Sequence, residues 1–284
     1  MVSDKREQNA GCRIGVVQMV STGDIDANLA QADTLLEQAA AGGARIVVFP
    51  ENFAVLATRQ MQEQGQTEAG TEPRIRQWLS ERARDHNLWI VGGSLPLATR
   101  PDGSAIDDRV RATCLVYDNE GREVARYDKI HLFDAQVDDA HGSYRESDTF
   151  EPGDDIVTID TPAGKLGLAI CYDLRFPELF RKLREQGAEW ITLPSAFTYQ
   201  TGEAHWHPLV RARAIENQLW LAAPGQGGWN SSRRRTWGHS MIVDPWGTVV
   251  DELPEGPGVV FADLDRDKLR HVRESMPVWS HRRL

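Results

Sequence analysis

The chain has 284 residues, enough to bury a substantial core, and length alone leaves open two ordinary domains or one large sandwich or barrel. Its 32 Lys and Arg against 42 Asp and Glu give a formal net charge of −10, which argues against nucleic acid or an anionic membrane as partner. No apolar run approaches the ~20 residues of a membrane span, and the three cysteines, Cys12, Cys114 and Cys171, form neither a C-x-x-C pair nor an even-numbered framework. The expectation is a cytoplasmic protein without disulfides. Residues 1–11 lack the apolar core of a signal peptide and are expected to form a disordered tail ahead of a single domain over 12–284.

In chain order, a strand is predicted over 13–19, then a helix from about Asp26 in which Ala30, Leu35, Leu36 and Ala39 recur at helical spacing and which Gly42 and Gly43 end. A buried strand over 44–49 runs straight into Pro50 and Glu51. A second helix covers roughly 72–86, followed by strands over 88–92, 112–117 and 123–127, the last two joined by the turn 118–121. The polar segment 133–151 shows no periodicity and reads as a long loop of the kind that covers or carries a site.

The second half repeats the first. The run beginning Lys165-Leu166-Gly167 matches that beginning Arg13-Ile14-Gly15, 188–197 matches 44–53 with Pro194 on Pro50, Leu219-Trp220 matches Leu88-Trp89, and the turn ending at Gly247 matches that ending at Gly121. The offset shrinks from 152 residues (Gly15 to Gly167) to 126 (Gly121 to Gly247), as loops shorten while elements persist. Two similar α/β halves, each a mixed sheet with helices on one face, would bury their open sheet faces on each other and give layers helix, sheet, sheet, helix.

Three strand ends carry reactive side chains. Cys171 lies where a buried apolar run meets a helix opened by Pro177, near backbone N–H groups that favour a thiolate and can receive an oxyanion; a single cysteine there can equally be core filling. Glu51 is a solvated carboxylate or, beside a thiol, its general base. Lys129 is a surface lysine or the stabiliser of an oxyanion. Glu146, inside the polar segment, is a weaker candidate. The run Arg233-Arg234-Arg235 reads as a solvated loop, with contact to an anion or a partner as the alternative.

Phe49-Pro50-Glu51-Asn52-Phe53, Tyr127-Asp128-Lys129-Ile130-His131 and Ile170-Cys171-Tyr172-Asp173-Leu174-Arg175-Phe176-Pro177-Glu178 resemble, in the same order, the three signature motifs of the nitrilase superfamily of carbon–nitrogen hydrolases. The resemblance implies a four-layer αββα sandwich, Cys171 as nucleophile, Glu51 as general base, Lys129 as oxyanion stabiliser with the backbone N–H of Tyr172, Glu146 as a second active-site glutamate, a homodimer, and neither metal nor organic cofactor. Residues 171–178 with 196–206 and 211–216 look like the amidase branch that contains omega-amidase and deaminated-glutathione amidase, whereas true nitrilases typically carry Trp-Glu where this chain has Tyr172-Asp173. The expected reaction is hydrolysis of a small carboxylate-bearing amide to acid and ammonia through a cysteine thioester, the leading substrates being deaminated glutathione and 2-oxo-dicarboxylate monoamides. The alternatives are an N-carbamoyl amino acid amidohydrolase and a non-catalytic binding member of the fold. Arg175, Phe197 and Thr198 are expected to bind substrate; for Arg175 the competing reading is a salt bridge to Asp173 or Glu178. The branch usually has Glu where this chain has His207, and His205 and His207 diverge on a helix, so they do not read as a metal pair.

Overall fold

The computed structural model describes residues 11–139 and 142–283; the expected disordered tail, apart from Gly11, lies outside the described residues. The first half runs β1 (Cys12–Gln18), α1 (Ile25–Ala41), β2 (Ile46–Val48), α2 (Met61–Ala69), α3 (Arg74–Asp85), β3 (Trp89–Val91), β4 (Leu95–Leu97), β5 (Arg111–Tyr117) and β6 (Glu123–Asp128). A short hairpin of β7 (Asp134–Gln136) and β8 (Ser143–Arg145) leads to a 3₁₀ turn, Glu146–Asp148. The second half runs β9 (Thr158–Thr161), β10 (Gly164–Leu168), a 3₁₀ turn Cys171–Arg175, α4 (Pro177–Glu185), β11 (Trp190–Thr192), α5 (Tyr199–Asn217), β12 (Trp220–Ala223), β13 (Ser240–Val243), β14 (Val249–Leu253), β15 (Gly258–Leu264) and α6 (Arg266–Ser275).

The internal repeat is realised as two sheets of matching design. One has the order β15-β1-β2-β3-β5-β4 with β6 on β5, and the other β14-β13-β12-β11-β10-β9. In each, three parallel strands (β1, β2, β3; β10, β11, β12) are flanked by antiparallel neighbours, β15 and β5 in the first, β9 and β13 in the second. The matched turns agree to the hydrogen bond. Asp118 Oδ1 accepts from the N–H groups of Glu120 and Arg122, and Asp244 Oδ1 from those of Trp246 and Thr248. Both turns close on a glycine at positive φ, Gly121 at 77° and Gly247 at 89°, where a Cβ would be strained.

Side-chain alternation assigns the layers. Ile14, Val16, Ile46, Val48, Val91, Cys114 and Val116 share a core with Leu166, Leu168 and Trp190 of the other sheet, while Val17, Val47, Ile90 and Leu115 pack on Leu35 and Leu36 of α1 and Leu79 of α3. Leu179, Phe180 and Leu183 of α4 and Trp206 and Val210 of α5 cover the second sheet. The molecule is thus a four-layer αββα sandwich.

Three features depart from the sequence reading. The segment 133–151 is not a plain loop but carries β7, β8 and the 3₁₀ turn; its strands are only half buried, so no apolar period marks them. Helix α2 was missed because Met61, Gly65 and Glu68 are what it buries, too few apolar residues to show a stripe. Strand β15, from the C-terminal end, pairs with β1 over Cys12–Gln18 and completes the first sheet, a long-range pairing that no local pattern announces.

Candidate active site

The strand ends of both halves bring the candidate residues together. Glu51 follows β2 and is 5 % exposed; Lys129 follows β6 and is 2 % exposed. Lys129 Nζ donates to Glu51 Oε1 at 2.9 Å and to Glu146 Oε1 and Oε2 at 2.8 and 2.9 Å. Glu146 enters from the hairpin that the sequence leaves unresolved, and the 3₁₀ turn behind it fixes its position: its Oε2 also accepts the N–H of Phe133. Two carboxylates and one ammonium therefore share a largely buried centre.

Cys171 opens the 3₁₀ turn after β10, at φ 46°, a left-handed conformation that costs a non-glycine residue energy and that a plain core cysteine has no reason to adopt. Its N–H is held by the Pro194 carbonyl at 2.9 Å, and its thiol lies within electrostatic reach of Glu51, Lys129 and the N–H of Ala196. Burial pushes the thiol well above its ordinary pKa, and the Glu51 charge pushes the same way, outweighing Lys129 and the Ala196 N–H. The resting sulfur is thus a neutral S–H. Burial works against the Lys129 ammonium, but Glu146 and Glu51 outweigh it and hold its pKa well above that of an ordinary lysine. Glu146 is raised, first by burial and also by Glu51, against the pull of Lys129.

Two adjoining hollows expose this centre. One, of about 130 Å³, is lined by Glu51, Lys129, Glu146 and Cys171 with Arg145 and Arg234. The other is lined by Cys171, Tyr172, Arg175, Phe197 and Thr198. Tyr172 is the second residue of the 3₁₀ turn, so its N–H has no acceptor inside that turn. Arg175 does not pair with Asp173 or Glu178 among the described ion pairs. Its guanidinium lies 5.8 Å from the Tyr172 ring centre and 5.6 Å from that of Phe197, with His205 Nδ1 at 3.3 Å. Phe197 packs against Trp206 at 4.9 Å. Thr198 lines the hollow, but its hydroxyl caps α5 by accepting the Thr201 N–H, so its oxygen is partly committed.

Two residues outside the expected set also bear on the site, Asp173 and Arg234. Asp173 is fully buried and accepts from Tyr127 Oη at 2.6 Å, from the Ile170 N–H at 2.8 Å and from the His131 N–H at 3.2 Å, with His131 Nδ1 at 2.7 Å. It ties the Lys129 strand end to the Cys171 turn, a role visible only once the two motifs are seen to touch. The Arg233-Arg234-Arg235 run is not simply a solvated loop. Arg235 stacks on Tyr199 at 4.0 Å and pairs with Glu255 at 2.8 Å, which turns Arg234 into the hollow.

The sequence pattern of the carbon–nitrogen hydrolase family matches residues 13–274. The chain is 42 % identical to the deaminated glutathione amidase of Yersinia enterocolitica over 270 residues, 95 % of this chain and 92 % of that protein. It superposes with a TM-score of 0.84 on Nit3 of Saccharomyces cerevisiae, a member of branch 10 of the nitrilase superfamily, at 34 % identity and 97 % coverage of both chains. A variant of the amidase from Nesterenkonia sp. AN1, solved with acrylamide added at its active-site cysteine, matches at TM-score 0.76 and 27 % identity, over 94 % of this chain and 99 % of that one. With these matches and this fold, the chain belongs to the carbon–nitrogen hydrolase family and is an amidase of the nitrilase superfamily.

Proposed function

We propose that this amidase hydrolyses small amides that carry a carboxylate, with deaminated glutathione as the first candidate and 2-oxo-dicarboxylate monoamides as the second. The observation that carries the chemistry is the linked set Glu51, Lys129 and Glu146 beside a strained, neutral Cys171. Glu51 takes the thiol proton as Sγ attacks the amide carbonyl. The resulting oxyanion is held by the Lys129 ammonium and the Tyr172 N–H. Collapse breaks the C–N bond, and Glu51 returns the proton to the departing nitrogen, which leaves as ammonia from a primary amide or as an amine from a secondary one. Glu51 then deprotonates a water that hydrolyses the thioester, and the acid departs. Glu146 holds Lys129 charged and aimed.

The substrate class rests on the cationic rim formed by Arg145, Arg175 and Arg234, which suits an anion, and on the names of relatives such as the enzyme from Yersinia enterocolitica. The test is mass-spectrometric detection of product acid over a panel of deaminated glutathione, 2-oxo-dicarboxylate monoamides and N-carbamoyl amino acids. Turnover of only the last group would establish the alternative reading. Esterifying the distal carboxylate is expected to raise KM steeply, and Arg175→Lys to weaken the acid far more than its methyl ester. A charge-assisted bidentate contact is worth ~1.5–3 kcal/mol, about 10- to 150-fold in kcat/KM. Equal losses for acid and ester would leave Arg175 a supporting role only.

We also read residues 12–284 as one domain that forms a two-fold homodimer in the cytoplasm. Three unpaired cysteines suit a reducing compartment, and among the described residues no helix is long and apolar enough to cross a membrane. Helix α4 and the C-terminal turn are the expected contact: Trp279 lies between Arg184 of α4, at 5.1 Å, and Arg282, at 4.5 Å, with Met276 exposed beside them. Light scattering at micromolar concentration is expected to give twice the chain mass; a monomer would refute the assembly.

A further inference from the structure

A second cluster lies outside the reaction centre. His207 projects from α5, His239 from the bend before β13, and Glu252 from β14. His207 Nε2 lies 2.8 Å from Glu252 Oε1, and His239 Nδ1 contacts the same oxygen. One ligand atom from each of the three falls within 4.8 Å of the other two. None of the three lines the hollows around Cys171. His205, two residues before His207, points instead at Arg175, so the pairing that helical spacing excludes is replaced by one across three elements.

We propose that His207, His239 and Glu252 form a divalent transition-metal site, most suited to Zn²⁺, that clamps helix α5 to the edge of the second sheet. Two imidazole nitrogens and one carboxylate oxygen are a borderline-soft donor set with room for a fourth ligand from solvent. The side chains are 34 %, 21 % and 26 % exposed, so an ion has access to all three. Zinc at about 2.0–2.1 Å from each donor needs donors roughly 3.3 Å apart, so Glu252 must withdraw from both histidines, by about half an ångström from His207 and by more from His239. That movement is small for a glutamate with its tip at the surface.

Two further observations favour a built site over a chance pair of hydrogen bonds. His239 sits at φ 52°, a strained conformation for a histidine, and its ring is fixed by stacking on Trp237 at 4.3 Å and 18°. Trp206, next to His207, donates its indole N–H to the His239 carbonyl at 2.8 Å and packs against Phe197. The clamp therefore bears on the wall of the substrate hollow without touching the reacting atoms.

The test is a titration of chelator-treated, full-length protein with Co²⁺ followed by visible absorption, and with Zn²⁺ followed by thermal melting. The wild type is expected to take up one Co²⁺ with ligand-field bands free of thiolate charge-transfer absorption, and to melt higher with Zn²⁺. His207→Gln and Glu252→Gln are each expected to weaken binding by more than the ~100-fold that loss of a merely supporting hydrogen bond can cost. Glu252→Gln keeps the shape of the cluster, so it decides the matter if His207→Gln fails to fold by circular dichroism. Absence of Co²⁺ bands in the wild type, or binding that both variants retain, would overturn the site.

Discussion

Replacing Cys171 with alanine is expected to abolish amide hydrolysis, a loss of about 10⁴-fold or more, with the fold intact. Without the sulfur no thioester forms, and the surrounding donors retain only what binding and oxyanion stabilisation supply to attack by water. The cost in stability is of order 1 kcal/mol, since one small buried side chain is exchanged for another and alanine inherits the same strained backbone. Cys12→Ala and Cys114→Ala are the controls. Both thiols are buried and raised in pKa chiefly by that burial, and neither lines the hollows around Cys171. Equal loss in all three variants would remove the assignment. The neutral resting thiol makes a second demand on the wild type. A nucleophile that had to ionise first would gain activity nearly tenfold per pH unit below its pKa, whereas proton transfer to Glu51 during attack leaves kcat/KM level between pH 7 and pH 9. A continuous rise over that window would show that free thiolate is the attacking species.

The parts legible in the sequence are those with a local signature. The parallel strands are short and mostly apolar on both faces, so the repeat, the layers and the strand ends carrying Glu51 and Cys171 are legible in the sequence, whereas Lys129 follows the half-exposed antiparallel β6 and is marked by its motif. Glu146 was legible only by resemblance, because its hairpin lies on the surface and its neighbours have no apolar period. Arg234 was not legible: a run of three arginines gives no sign of which one turns inward, and the answer depends on Tyr199 and Glu255 capturing Arg235. Asp173 was misjudged for a related reason. Its closeness in sequence to Arg175 suggests a salt bridge, but the Tyr127 hydroxyl, the His131 and Ile170 N–H groups and the His131 ring reach it first in a site closed to solvent. Likewise His207, His239 and Glu252 come from three separate elements and meet only in the folded chain.

Lys129→Met is expected to cut turnover by roughly 100- to 1,000-fold and to destabilise the protein by several kcal/mol, two losses with separable causes. The kinetic loss reflects one missing oxyanion donor, ~3–4 kcal/mol of transition-state stabilisation. The stability loss arises because Glu51 and Glu146 would then share a buried centre with no cation between them, and removal of one partner from such a set costs about 3–5 kcal/mol. Lys165, which is partly exposed and 3.7 Å from Asp160, is the surface control. The two losses respond differently to pH and to a second substitution. Glu146 already has a raised pKa in the wild type, and without Lys129 its main lowering influence is gone. A carboxylate whose folded pKa exceeds its unfolded value of ~4.3 makes the folded state bind the extra proton, so its penalty is absent at low pH and grows as pH rises through the folded pKa. The Lys129→Met melting temperature should therefore climb on going from pH 8 to pH 5.5 more steeply than that of the wild type, whose lysine stays charged across that window. Adding Glu146→Gln should restore much of the stability at pH 8 by removing one charge, yet restore none of the turnover. If the double variant recovered activity along with stability, Lys129 would be a counter-ion for the fold rather than a stabiliser of the reacting carbonyl.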